Sequence, residues 1–149
     1  MALENRAAVI PAPGKPLELI AVEASHPATG EVLIRNHAVA VQPLDAKMLL
    51  GGYAGAGALG SYPAMLGTGG AGVIEEVGQD VEGFAVGDRV VFDTRAYVNG
   101  DANRREGTWQ QLVVSSAKTV AKVCSKGDCE VWLSLNHDRS KSWLSSKPC

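Results

Sequence analysis

Polar side chains suited to holding a substrate or cofactor gather in one stretch of this chain, Gln42-Pro43-Leu44-Asp45-Ala46-Lys47. A lysine at a strand end, next to a glycine-rich loop, can hold a phosphate or polarise a carbonyl. The plainer alternative is a solvated surface lysine. A second candidate, Gly67-Thr68-Gly69-Gly70-Ala71-Gly72, matches G-x-G-x-x-G letter for letter. That pattern cradles a pyrophosphate only where a strand precedes it and a helix follows. Here Ser61-Tyr62-Pro63 lies upstream, and the following Val73-Ile74-Glu75-Glu76-Val77 reads as strand. The expected role is therefore a close backbone crossing, where any Cβ would clash.

Other chemistries lack their parts. Residues 1–123 contain no cysteine and only His26 and His37, short of the three or four converging ligands that zinc requires. His37 reads as a packed or surface-facing strand residue. Cys124, Cys129, His137 and Cys149 fit no compact zinc spacing, and no G-x-S-x-G elbow is present.

The elements that must position these residues are short strands punctuated by Gly and Pro. Strands are expected from Arg6 to Ile10, Leu17 to Glu23, Val32 to Val41, Ala71 to Val77, Asp88 to Phe92, Thr108 to Val114 and Thr119 to Val123. Val32 to Val41 alternates imperfectly, as expected of a strand sealed on one side and partly exposed on the other. A single helical turn is expected over Asp45 to Leu50, followed by a Gly/Ala loop, Gly51 to Gly60, carrying Tyr53. Asn99 to Arg105 reads as a polar loop. Seventeen glycines and 5% aromatics among 149 residues favour the same answer, a turn-rich, mainly β domain.

A net charge of −2 argues against a nucleic-acid or anionic-membrane partner. No apolar run approaches the roughly 20 residues that span a bilayer. Met1-Ala2-Leu3-Glu4-Asn5-Arg6 lacks a basic leader region, so the expected location is cytoplasmic. Residues 124–149 hold all three cysteines and two of the three tryptophans, show no sustained period, and are expected to stand apart from the core.

Three segments together resemble the N-terminal, GroES-like catalytic domain of the medium-chain dehydrogenase/reductase superfamily. They are Gly30 to Asp45, Leu66 to Gly78 (LGTGGAGVIEEVG), and Phe84-Ala85-Val86-Gly87-Asp88-Arg89-Val90. The resemblance covers about residues 6–123, taken as one domain (1–123), and implies a partly open β-barrel with one or two short helices. Zinc-dependent alcohol dehydrogenases of that superfamily carry a cysteine where this chain has Gln42, and a His-Glu pair where it has Thr68-Gly69. Gln42-Pro43-Leu44-Asp45 is instead similar to the N-P-x-D stretch of zinc-independent quinone reductases and fungal trans-acting enoyl reductases. The resemblance implies NADPH as cofactor and no zinc. It places Leu44, Asp45, Ala46 and Lys47 along the cofactor cleft and makes Lys47 and Gln42 the candidates for orienting cofactor and substrate. The loop after Leu50 would border a small-molecule substrate.

Family members run to about twice this length, because an NADPH-binding Rossmann domain follows the GroES-like one. After Ala121-Lys122-Val123 this sequence departs from the family. Codons for Lys122-Val123-Cys124 can contain a fungal-type intron start, so the tail is read as retained intron or frameshifted sequence, and the chain as truncated. On that expectation it binds NADPH weakly or not at all. Three functions stay open: part of an NADPH-dependent enoyl, enone or quinone reductase of fungal secondary metabolism; a cofactor-free protein that binds or cyclises a polyketide-like intermediate; and an inactive remnant or interaction subunit. Apolar surface uncovered by a missing second domain would favour self-association or a protein partner.

Overall fold

The computed structural model describes residues 3–50, 62–94 and 107–123. In chain order the elements are β1 (Leu3–Ile10), β2 (Glu18–Ala24), β3 (Glu31–Val39), α1 (Pro43–Leu49), β4 (Ala64–Met65), β5 (Gly69–Val77), β6 (Arg89–Asp93), β7 (Leu112–Ser116) and β8 (Val120–Lys122). They form two antiparallel sheets, β2-β1-β4 and β7-β3-β5-β6-β8. The mainly β fold agrees with the sequence expectation of a GroES-like, partly open barrel. The tail from Cys124, the Gly51–Gly60 loop with Tyr53, and the Asn99–Arg105 loop lie outside the described residues.

Apolar residues distribute into three clusters. Val32, Ile34, Ile74, Val90, Phe92 and Val113 fill one side of the five-stranded sheet. Leu33, Ala24 and Leu112 pack on the other side, bridging to the three-stranded sheet. The third cluster, Ile10, Met48, Ala64 and Leu66, seats α1.

β3 corrects the expected face pattern. Val32, Leu33 and Ile34 are all fully buried, while Val39 and Val41 are 41% and 74% exposed. The strand is sealed on both faces at its start and open at its end. Its register against β5 shifts between Leu33 and Ile34 and again between Asn36 and Ala38, and such bulges break strict alternation. β4 has only two residues and escaped the sequence reading because Pro63 precedes it. The strand expected from Thr108 begins only at Leu112, and the last expected strand loses Thr119 to a 3-10 turn, Ala117–Thr119, capped by the Ser116 hydroxyl.

Candidate functional site

The end of β3 delivers the chain into α1. Pro43 occupies the first turn, where a missing N–H costs no helical bond. The Asp45 carboxylate accepts from the Gln42 N–H at 2.7 Å, and the Asp45 N–H donates to the Gln42 carbonyl at 3.0 Å. This reciprocal pairing satisfies donors that a helix start leaves open. It also explains why Asp45 is only 1% exposed. Below it, Leu44, Met48 and Leu49 pack with Ile10, Ala64 and Leu66, flanked by Tyr62 and Trp109. The helix is thus fixed on the sheet by its apolar side, with Ala46 and Lys47 on the exposed one. Lys47 makes no ion pair among the described residues.

The facing wall is the glycine-rich segment. Ala40 N–H donates to the Gly69 carbonyl at 2.9 Å. A methyl group built on Gly69 would lie 4.0 Å from Gln42 Nε2, so the carboxamide stands directly beside this glycine. Gly67 has φ +96°, and a Cβ there would run into the Thr108 hydroxyl and the Trp109 ring. At Gly72 the obstacle is the Arg35 carbonyl of the paired strand. The G-x-G-x-x-G letters serve close backbone approach, as expected, and lead into strand β5 rather than a helix.

What holds the wall in place was not visible in sequence. Residues 107–111 cross between the sheets and bond to both. Thr108 N–H donates to the Gly67 carbonyl (3.0 Å), Trp109 N–H to Leu66 (3.0 Å), and the Thr108 hydroxyl to Gly69 (3.2 Å). On the other side Ala8 N–H reaches the Trp109 carbonyl (2.8 Å) and Gln111 N–H the Arg6 carbonyl (3.0 Å). Asn36, from β3, clamps the crossing by donating to the Thr108 and Gln110 carbonyls at 2.9 and 2.8 Å. The buried Asn5 amide bonds the Gln110 side chain at 2.8 Å and the Leu112 carbonyl at 3.0 Å. One weak signal existed: an asparagine inside a β run, flanked by Arg35 and His37, is a residue type that strands avoid.

Charge perturbations fall elsewhere. The Glu75 carboxylate, accepting from Arg35 Nε and Nη2, holds that guanidinium above its ordinary range. The Lys122 ammonium, 2.7 Å from Asp88, together with the Ala85 N–H, holds the Asp88 carboxyl below its ordinary range. His26 pairs with Glu76 at 2.8 Å, and His37 is exposed on β3.

A barrel-like β fold, a short helix after β3 and a glycine wall define the class, and direct comparison agrees. The chain belongs to the alcohol dehydrogenase GroES-like domain family, matched over residues 28–125, within the medium-chain dehydrogenase/reductase superfamily. It is 42% identical over 89 residues to an S-(hydroxymethyl)glutathione dehydrogenase of Escherichia coli O1:K1, covering 60% of this chain and 23% of that protein. An alcohol dehydrogenase superfamily protein from Novosphingobium aromaticivorans superposes with TM-score 0.69 at 32% identity, over 79% of this chain and 34% of that one. A quinone oxidoreductase from Pseudomonas syringae pv. Tomato DC3000 superposes with TM-score 0.62 at 28% identity, over 85% of this chain and 34% of that one. The chain therefore spans about a quarter of its curated relative's length.

Proposed function

We propose that this chain is the substrate-side domain of a zinc-independent, NADPH-dependent reductase acting on an enone, quinone or enoyl thioester. One observation carries the reading: the Gln42 carboxamide stands beside Gly69, next to Thr68, at the positions where the zinc enzymes of the superfamily carry cysteine, glutamate and histidine. A carboxamide, a hydroxyl and a bare glycine do not make a zinc donor set. Among the described residues no three His, Cys, Asp or Glu side chains converge. The likeness to a quinone oxidoreductase supports the same substrate class.

When bound, the reduced nicotinamide supplies the hydride. The chain's own groups supply position and charge. Gln42 offers one donor and one acceptor at the wall, enough to fix an amide or carbonyl edge. Lys47, on the exposed side of α1, stabilises negative charge developing on a substrate oxygen. Ala46 leaves room beside it, and Leu44 holds the apolar underside of the helix. Asp45 acts through Gln42, whose backbone it caps. Val41 and Leu50, 74% and 83% exposed at the two ends of this helix, mark the side on which a second domain or protein partner would sit.

Sequencing the mature message across codons 122–124 identifies the product to assay. Purified full-length product is then given NADPH with an enone, a quinone and an enoyl thioester in turn. Oxidation of NADPH that survives a zinc chelator is the expected result. Loss of activity on chelation with recovery on added zinc, or no oxidation with any of the three classes, overturns the proposal.

A further inference from the structure

Gly69 differs from the other glycines of the wall in what a side chain there would meet. A Cβ on Gly67 would overlap the Thr108 hydroxyl, on Gly70 the Phe92 ring, and on Gly72 the Arg35 carbonyl. On Gly69 it would meet Ala40 Cβ at 3.7 Å, the Phe92 carbonyl at 3.8 Å and Gln42 Nε2 at 4.0 Å, all ordinary contact distances. Gly67 has a positive φ, whereas Gly69 does not. Among the described residues, then, neither crowding nor backbone conformation calls for glycine at this position. The absent side chain leaves a notch beside Gln42.

Strand register shows what stands across that notch. Thr94 N–H donates to the Thr68 carbonyl at 2.6 Å, which makes Thr68 and Thr94 a bonded pair at the end of the β5–β6 ladder. Bonded and non-bonded pairs alternate, so Gly69 and its partner Asp93 are a non-bonded pair, with Cα atoms about 4.5 Å apart. Residues directly opposite project from the same face. The neighbouring pair, Gly70 and Phe92, turns to the core, where the Phe92 ring packs with Ile34 and Val90. Asp93 therefore lies on the other face, the one on which Gly69 meets Gln42. Asp93 is exposed and Gln42 half-buried. The floor between them is held firmly, because each wall carbonyl accepts twice. Gly67 is served by the Thr108 N–H (3.0 Å) and the Thr94 hydroxyl (3.3 Å), and Thr68 by the Thr94 N–H and hydroxyl (3.4 Å). Gly69 is served by the Ala40 N–H (2.9 Å) and the Thr108 hydroxyl (3.2 Å).

The two flanking groups have opposite hydrogen-bonding character. The Gln42 amide nitrogen donates. The Asp93 carboxylate accepts, and its two oxygens offer about four acceptor sites, so a bond made elsewhere does not exhaust it. Their complement is a group with an acceptor and a donor side by side. We propose that the Gly69 notch is a subsite for a carbonyl flanked by a hydrogen-bond donor: the carbonyl oxygen accepts from Gln42, and the neighbouring O–H or N–H donates to Asp93. Two molecules could bring that group, a hydroxylated enone substrate or the carboxamide of a nicotinamide. That the bound molecule takes part in a reduction rests on the reductase reading above, whereas the subsite itself does not.

Amide-resolved NMR titration of the full chain tests the subsite with two pairs of probes. One pair is an α-hydroxymethyl cyclohexenone and its methyl ether, and the other is nicotinamide and the acetylpyridine with its carbonyl at the same ring position. Each pair keeps the carbonyl and removes the donor. The donor-bearing member of one pair is expected to bind about 10-fold more tightly than its partner, with shifts centred on Ala40 and Gly69. The pair that discriminates identifies the source, substrate or cofactor. Asp93→Ala should abolish that preference, and Gly69→Ala, whose methyl group fits the fold but fills the notch, should weaken both members. Equal binding within both pairs, a preference that survives Asp93→Ala, or Gly69→Ala binding as the parent does overturns the proposal. Full-length product that binds the enone in this way but oxidises no NADPH overturns the reductase reading and leaves the subsite standing.

Discussion

Asn36 offers the sharpest test of how the candidate site is held together. Its amide donates to two carbonyls of the crossing segment, at 2.9 and 2.8 Å, while its Oδ1 is buried without a hydrogen-bond partner among the described residues. Replacing Asn36 by alanine thus has opposing effects. Two hydrogen bonds are lost, worth about 1 kcal/mol each, and carbonyls that the amide served lose that donor at up to about 1–3 kcal/mol. Against this, removing a desolvated oxygen that bonds nothing relieves a penalty of similar size. The net expectation is a loss of about 1–3 kcal/mol, read from urea unfolding. Asn36→Asp is nearly isosteric yet should cost more, about 3–5 kcal/mol. It replaces the donor by a second acceptor aimed at two carbonyls and buries an unpaired charge. Such a carboxyl would have a raised folded pKa, so the aspartate variant's deficit should be smallest near pH 4 and grow as pH rises above it. Parallel unfolding curves for the two variants across pH 4–7 decide the matter. If Asn36→Asp is no worse than Asn36→Ala at neutral pH, the clamp described here is wrong.

Three further expectations follow from the same geometry. Gly72→Ala drives a methyl group into the Arg35 backbone carbonyl, where no flexible side chain can yield, and should cost at least about 3 kcal/mol or abolish soluble yield. Asp88→Asn should lower stability at neutral pH, because the paired carboxylate is held below its ordinary value of 3.8. A depressed folded pKa means this contribution is complete above 3.8 and lost as pH falls through the folded value, so parent and variant should converge in acid. Lys47→Ala, at an exposed helix position, should leave the unfolding free energy within about 0.5 kcal/mol of the parent's while lowering kcat in the proposed full-length reductase. Unchanged turnover would remove Lys47 from the proposed machinery.

The fold was legible where its signals are local. Gly/Pro punctuation and runs of β-branched residues located seven of the eight strands, and Asp45 placed the helix to within two residues. The signals fail where a contact crosses the sheet. Asn36 and Thr108 are 72 positions apart, Asn5 and Gln110 are 105 apart, and no short window holds both members of either pair. The bulges in β3 are set by how β5 pairs with it, so alternation read along β3 alone did not show that Val32, Leu33 and Ile34 are all buried. At the site, residue types pointed to Asp45 and Lys47 and the family resemblance added Gln42, while the coordinates show that Asp45 is a buried cap. The glycine letters illustrate the reverse case. Their spacing matches a phosphate cradle, but the strand that follows them defines their use, and that context was itself readable.

The crossing segment also sets a timetable for synthesis. β1 and β2 can form a hairpin as soon as they emerge, and β4 covers the far end of β1 at Val9 and Ile10, but the rest of that second edge is closed by residues 109–111, almost a hundred positions later. At ribosomal rates of about 5–20 residues per second, that edge waits on the order of 5–20 seconds for its partner. Asn5 spends the same interval with its amide unanchored, and the Gly67 and Gly69 carbonyls lack their Thr108 donors. The candidate site is therefore assembled late and in one step, when the 107–112 stretch arrives and locks two sheets at once. A nascent chain halted shortly before that stretch would carry both the helix and the wall sequence, yet no site.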